Sequence, residues 1–199
     1  EEIPRIVNDF RLAAINAIAA GFDGVEIHAA NGYLIEQFIN PLINTRDDIY
    51  NGATIENRTR LLLEITDAIV GEIGADRTGV RLSPCNQLQD MPAYSEASDT
   101  YLYIGQQLSQ RNIAYVHLMA QGDVMFNGFL RNFRREWKGT LILAGGLNIN
   151  QADTLIKDNM IDLAAFGSPF IANPDFVERI DRMSIRLNSV TSLFRISSP

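Results

Sequence analysis

Short apolar runs recur along this chain, each followed by a stretch with helical spacing, and that alternation constrains the fold more than any other feature. "GVEIHA" (24–29), "TGVRLSP" (78–84), "AYVHLMA" (114–120), "TLILAGG" (140–146) and "IDLAAFG" (161–167) are too short for helices and read as strands. Residues 2–20 place Ile3, Ile6, Val7, Phe10, Ala14, Ala17 and Ile18 at spacings of three and four, and Gly21 stops that helix. Residues 55–73 put Leu62, Ile65 and Ile69 on one face, and a helix near 98–110 does the same with Tyr101, Ile104 and Leu108. Further helices are expected near 126–137 and 150–158, and Asn173 followed by Pro174 reads as a helix start. The polar stretch with Asn44, Asp47, Asp48, Asn51 and Gly52 reads as a loop.

A strand followed by a helix, five times over, implies an α/β fold with a parallel sheet. The runs are nearly continuous in apolar residues, as expected when both sheet faces are covered. No Gly-x-Gly-x-x-Gly follows a strand, which weakens a dinucleotide-binding Rossmann reading. His28, Asn31, Arg81, Ser83, Gly145, Gly146 and Gly167 cluster at the carboxyl ends of the strands, where a (β/α)8 barrel keeps its active site. A full barrel needs eight units and about 250 residues. This chain has 199 residues, and it starts in a helix with no strand before it. The expected fold is therefore a partial barrel of five βα units.

Several function classes fall away on composition. A net charge of −7 argues against nucleic acid, where Lys and Arg must neutralise phosphates, and against an anionic membrane surface. The single cysteine, Cys85, allows neither an intramolecular disulfide nor a cysteine metal cluster. No apolar run approaches the ~20 residues of a bilayer span. The start "EEIPRIVNDF" has neither a basic head nor an apolar stretch, so no signal peptide is visible and a cytoplasmic location is expected.

"AGFDGVEIHAANGYLIEQF", "NTRDDIYNGATIENRTRLLLEITDAI", "IGADRTGVRLSP", "LILAGG" and "FGSPFIANPDFVERI" together resemble the old yellow enzymes. These are FMN-dependent ene-reductases on a (β/α)8 barrel, and they include bacterial N-ethylmaleimide reductases and plant oxophytodienoate reductases. The resemblance runs over residues 1–180, with 181–199 as a divergent tail, and makes the strands the fourth to eighth of the barrel. It implies that His28 and Asn31 hydrogen-bond the substrate carbonyl and that Tyr33 donates the proton. It likewise implies that Arg81 meets the flavin ring and that Gly145, Gly146 and Gly167 lie around the FMN phosphate. NADPH or NADH is the implied reductant, and an electrophilic alkene the substrate. There are departures. Ser168 stands where the family has a phosphate-pairing arginine, Asn51, Gly52 and Ala53 replace a double glycine and serine, and the first three strands have no counterpart here. FMN binding is expected to be weak, because a bidentate contact to a dianion is lost.

The chemistry suits these residue types. Hydride arriving at the β-carbon of an α,β-unsaturated carbonyl drives negative charge onto the carbonyl oxygen. Two donors aimed at that oxygen act as an oxyanion hole, each worth about 3 kcal/mol in the transition state. A phenol, protonated at neutral pH, can protonate the α-carbon.

Plainer readings stand beside these. Asn31-Gly32 is also a turn pair, and the glycines after strands also permit tight turns. Arg81 needs a partner, which is flavin or Glu26. His117 reads as core or loop lining, and Cys85 as a small buried apolar group. Arg46, Asp47 and Asp48 read as a loop salt-bridge cluster. Trp137 reads with Arg131, Arg134 and Arg135 as a solvated amphipathic face.

Three functional readings compete. The first is an FMN-dependent ene-reductase. The second is an iron–sulfur relative of the dienoyl-CoA reductase type, which one cysteine excludes. The third is a truncated, catalytically impaired member that folds as a partial barrel or associates with a partner. Five parallel strands leave two edges unpaired, which invites self-association or low stability.

Overall fold

The computed structural model describes residues 2–84, 87–119 and 128–186. Two compact units divide it, Glu1–Ala165 and Phe166–Pro199. In the first, α1 (Ile3–Ala19) precedes β1 (Val25–Ala29), and α2 (Leu34–Ile39) and α3 (Ile55–Ile73) follow. Then come β2 (Thr78–Leu82), α4 (Ala97–Gln110), β3 (Tyr115–Met119), α5 (Phe129–Glu136), β4 (Thr140–Ala144), α6 (Ile149–Lys157) and β5 (Leu163–Ala165). The second holds α7 (Ser168–Ala172) and α8 (Phe176–Arg186), with Phe166 edge-on to Phe176 at 5.3 Å. The boundary placed at residue 180 from sequence lies inside α8. Cys85, Ala120, the start of the helix expected near 126, and residues 187–199 lie outside the described residues.

The five strands pair in parallel in chain order, β1-β2-β3-β4-β5. A doubly wound sheet would reverse its order at a switch point; an unreversed order is that of a barrel. The register sets His28, Arg81, His117 and Ile142 in one row across four strands.

Ile27, Ala29, Val80, Leu82, Val116, Leu118, Leu141 and Leu143 are buried beside the helical residues Leu61, Leu62, Ile65, Ile104 and Leu108. Burial of each such side chain contributes about 1.5–3 kcal/mol. The alternate residues His28, Arg81, Tyr115, His117, Ile142 and Ala144 are only half-buried. This corrects the expectation of two covered faces. Among the described residues the helices cover one face, and the other carries polar side chains.

Local signals explain most element ends. Thr54 caps α3 by accepting from the Asn57 amide at 3.2 Å, and Asn148 and Gln151 form a reciprocal capping box on α6. The expected Arg46–Asp48 loop pair forms, with Arg46 Nε donating to Asp48 at 3.1 Å. Two short helices, α2 and α7, were not anticipated. Asn173 does not start α8: its carboxamide donates to the Pro169 carbonyl at 2.9 Å and so closes α7. Trp137 is also corrected. Arg131 and Arg135 are solvated, but Trp137 is 1% exposed and its indole N–H donates to the Thr140 carbonyl at 3.0 Å. It sits past the end of α5, where the chain turns into β4, so helical periodicity no longer governs its direction.

Candidate active site

Beyond β1 the backbone turns sharply. Asn31 has φ 59° and Gly32 has φ 79°, two consecutive left-handed residues. Asn tolerates this region better than most residues, and glycine adopts it freely. A Cβ at Gly32 would also meet Gln89 Cβ at 2.6 Å and the Leu88 carbonyl oxygen at 2.9 Å. Tyr33 then returns to extended backbone (φ −85°, ψ 179°) and begins α2. The turn folds Tyr33 back over the strand end, and its ring centroid lies 5.2 Å from that of His28 at a 52° tilt. Tyr33 is 53% exposed. Asn31 lies between them in the chain, and its Oδ1 is buried without a hydrogen-bond partner among the described residues.

What holds the turn is a residue that sequence reasoning missed. Glu36, in the first turn of α2, is 4% exposed. Its Oε2 accepts from the Gly32 amide at 2.5 Å. Its Oε1 accepts from Ser83 Oγ at 2.8 Å and from the Tyr101 hydroxyl at 2.7 Å. Ser83 Oγ in turn accepts from the Asn31 amide at 2.7 Å. Burial pushes the Glu36 carboxyl above its ordinary pKa, against the opposing pull of these donors. The signal was present: an acidic residue inside the apolar run "LIEQFI" needs buried donors or an outward face.

Arg81 stands beside His28 on β2, and His117 beside Arg81 on β3. Burial and then the Arg81 charge hold the His28 pKa below its ordinary value, which favours the neutral imidazole. Glu26, the protein partner considered for Arg81, is engaged elsewhere: its Oε2 lies 3.0 Å from His117 Nδ1. Burial raises the Glu26 pKa, but the His117 contact, Tyr115 and Arg81 outweigh it and the net direction is down. Burial and Glu26 push the Tyr115 phenol up to about 12. His117 is therefore an ordered polar member of this row rather than lining. Arg81 Nε and His117 Nε2 are buried and have no hydrogen-bond partner among the described residues. Buried polar nitrogens are seldom left unpaired, so a polar ligand against this row is the chemical expectation.

At the end of β4, Gly145 has φ 118° and Gly146 φ 73°, and nothing lies within 4 Å of a Cβ built on Gly146. Gly167, in the second unit, has φ −89° and equally open space, and Ser168 opens α7 with a hydroxyl. The structure thus brings His28, Asn31, Tyr33 and Arg81 to adjoining positions of the first unit. The described residues contain no group of three metal-ligating side chains, and none of their helices is long and apolar enough to cross a membrane.

Comparison with known proteins places these residues in context. The chain is 42% identical to 12-oxophytodienoate reductase 2 of Arabidopsis thaliana over 211 residues, covering 100% of this chain and 54% of the relative. Among solved structures it is similar to morphinone reductase in complex with tetrahydroNAD (TM-score 0.85, 40% identity, 98% of this chain and 52% of that one). It is also similar to the old yellow enzyme homologue from Zymomonas mobilis (TM-score 0.84, 35% identity, 96% of this chain and 54% of that one). The chain spans about half the length of the relatives it matches, and its five-stranded sheet is part of an α/β barrel. A model of the NADH:flavin oxidoreductase / NADH oxidase family matches residues 1–185, and this chain belongs to that family.

Proposed function

We propose that this chain carries the substrate-gripping part of an FMN-dependent ene-reductase, which reduces the C=C bond of α,β-unsaturated carbonyl compounds. The observation that carries the reading is the meeting of His28 and Tyr33 at 5.2 Å over a strand end, with His28 in the same row as a buried Arg81 Nε that has no hydrogen-bond partner among the described residues. An unpaired buried donor costs about 1–3 kcal/mol, and an acceptor edge of a flavin ring would relieve it. On this ground the residues present fit FMN. When bound, FMN supplies a hydride to the β-carbon of the alkene, and a nicotinamide, NADPH or NADH, supplies the reducing equivalents. The complex of morphinone reductase with tetrahydroNAD supports a nicotinamide partner.

The chain's own residues do the rest. His28 and Asn31 donate to the carbonyl oxygen, where negative charge gathers, and each donor lowers the transition state by about 3 kcal/mol. A neutral His28 avoids placing a second cation beside Arg81. Tyr33 gives its phenolic proton to the α-carbon as general acid. Gly145 and Gly146 would lie by the FMN phosphate, and the open space at Gly146 would admit its close approach. Ser168 brings no charge, so we expect weak FMN affinity.

A flavin absorbance spectrum of the purified chain, taken with and without added FMN and then with a phenol, tests this reading. We expect little flavin as purified, a shifted band on adding FMN, and a further shift with the phenol. An FMN spectrum identical to that of free FMN at saturation overturns it.

A second reading is a partial barrel that associates with a partner chain. It is favoured by β1 and β5, each of which pairs on one side only among the described residues. Sedimentation of the purified chain as a stable monomer would count against it.

A further inference from the structure

We infer that Glu36 is the positioning residue of the substrate grip, fixing the left-handed Asn31–Gly32 turn from which His28, Asn31 and Tyr33 work together; this rests on the reading above. Both amides of that turn end on Glu36. The Gly32 amide reaches Oε2 directly at 2.5 Å. The Asn31 amide reaches Oε1 through Ser83 Oγ, in steps of 2.7 and 2.8 Å. Asn tolerates φ 59° better than other non-glycine residues, yet the conformation still gains from surroundings that fix it. These two paths are the surroundings. Tyr101 of α4 adds a third donor at 2.7 Å, so one carboxylate ties the turn to α2, to the end of β2 and to α4.

The chemistry calls for a carboxylate. Three donors converge on two oxygens, and an ionised carboxylate is acceptor-only. A carboxamide would set an N–H2 against the Gly32 amide, or else make the Ser83 and Tyr101 hydroxyls turn their protons away from it. Aspartate would be one methylene short. Glu36 borders a cavity of about 190 Å³ that Ile39, Met91, Ala97 and Tyr94 also line. Hydrogen bonds from Gly32, Ser83 and Tyr101 fix the carboxyl at its edge.

Ser83 lies two residues beyond Arg81 on the same strand end. The network therefore also sets the spacing between the carbonyl-binding residues and the arginine row. A shift of about 1 Å in such a group can cost on the order of a hundredfold in a productive complex.

The test compares the 199-residue chain with E36Q and S83A by amide NMR, with phenol and FMN titrated separately. In E36Q we expect the Gly32 and Asn31 amide signals to move, phenol affinity to fall about tenfold to a hundredfold, and FMN affinity to change little. In S83A the Asn31 amide should move more than that of Gly32, a pattern that general loosening would not produce. The inference is overturned if folded E36Q keeps both amide signals and its phenol affinity, or if affinity is lost while both amides stay put. Should E36Q fail to fold, S83A decides alone, and an unmoved Asn31 amide overturns the inference. If the wild-type chain binds no phenol, the ene-reductase reading fails, while the amide signals still decide whether Glu36 sets the turn.

Discussion

The Asn31 amide donates to Ser83 Oγ at 2.7 Å across 52 residues of chain. That bond joins the turn after β1 to the end of β2. It thereby sets His28 and Asn31, the pair proposed to bind the carbonyl, against the strand that carries Arg81. Long-range ties of this kind bring together residues that each have an ordinary structural use.

If His28 faces the carbonyl oxygen, His28→Ala removes one of two donors. We expect phenol affinity to drop about tenfold or more, since a hydrogen bond lost to a charged oxygen costs about 1.5–3 kcal/mol. Calorimetric or NMR titration of the phenol measures this. Unchanged affinity would show that the imidazole does not meet the ligand.

Tyr33→Phe leaves the ring beside His28 and removes only the proton. The FMN-loaded protein should be reoxidised by an enone about 10²- to 10⁴-fold more slowly. Its reduction by a nicotinamide should be nearly unchanged. Stopped-flow measurement of the two half-reactions separates them, and an equal loss in both would remove Tyr33 from the proton-donor role.

Gly32→Ala places a Cβ 2.6 Å from Gln89 Cβ at φ 79°. Backbone strain of this kind costs on the order of 1–3 kcal/mol, and the clash adds to it. Urea denaturation should show the midpoint lowered by a corresponding amount. A midpoint equal to that of the wild type would mean the turn relaxes.

The raised Glu36 pKa makes stability depend on pH with a definite sign. A carboxyl whose pKa is higher folded than unfolded binds its proton more tightly when folded. Its contribution is then most favourable below the ordinary carboxylate range and declines as pH rises through the folded-state value. E36Q should remove that decline. Urea unfolding across the acidic range, on both proteins, checks this, and parallel pH profiles would contradict it.

Trp137 is nearly fully buried and keeps its indole N–H paired. Trp137→Ala should cost about 3–5 kcal/mol, as a large cavity opens between α5 and β4. Thermal and urea unfolding report it; a surface-like loss below ~0.5 kcal/mol would contradict the burial.

The sequence by itself determined what depends on local period and end signals. All five strands lie within the short apolar runs, and α3 spans 55–73 as its spacing implied. Strand–helix alternation alone led to a parallel sheet, because backbone propensity and side-chain period act within a few residues. Only the tertiary structure decided which face of that sheet the helices cover, because each run was apolar enough for either arrangement. It also decided that Trp137 turns inward, that Glu26 engages His117 and leaves Arg81 Nε unpaired among the described residues, and that Glu36 gathers donors from the turn, Ser83 and Tyr101. Glu36 and its partners lie up to 65 residues apart. No window of sequence contains such a pairing. It exists only once burial has removed water and left the carboxylate nothing else to accept from.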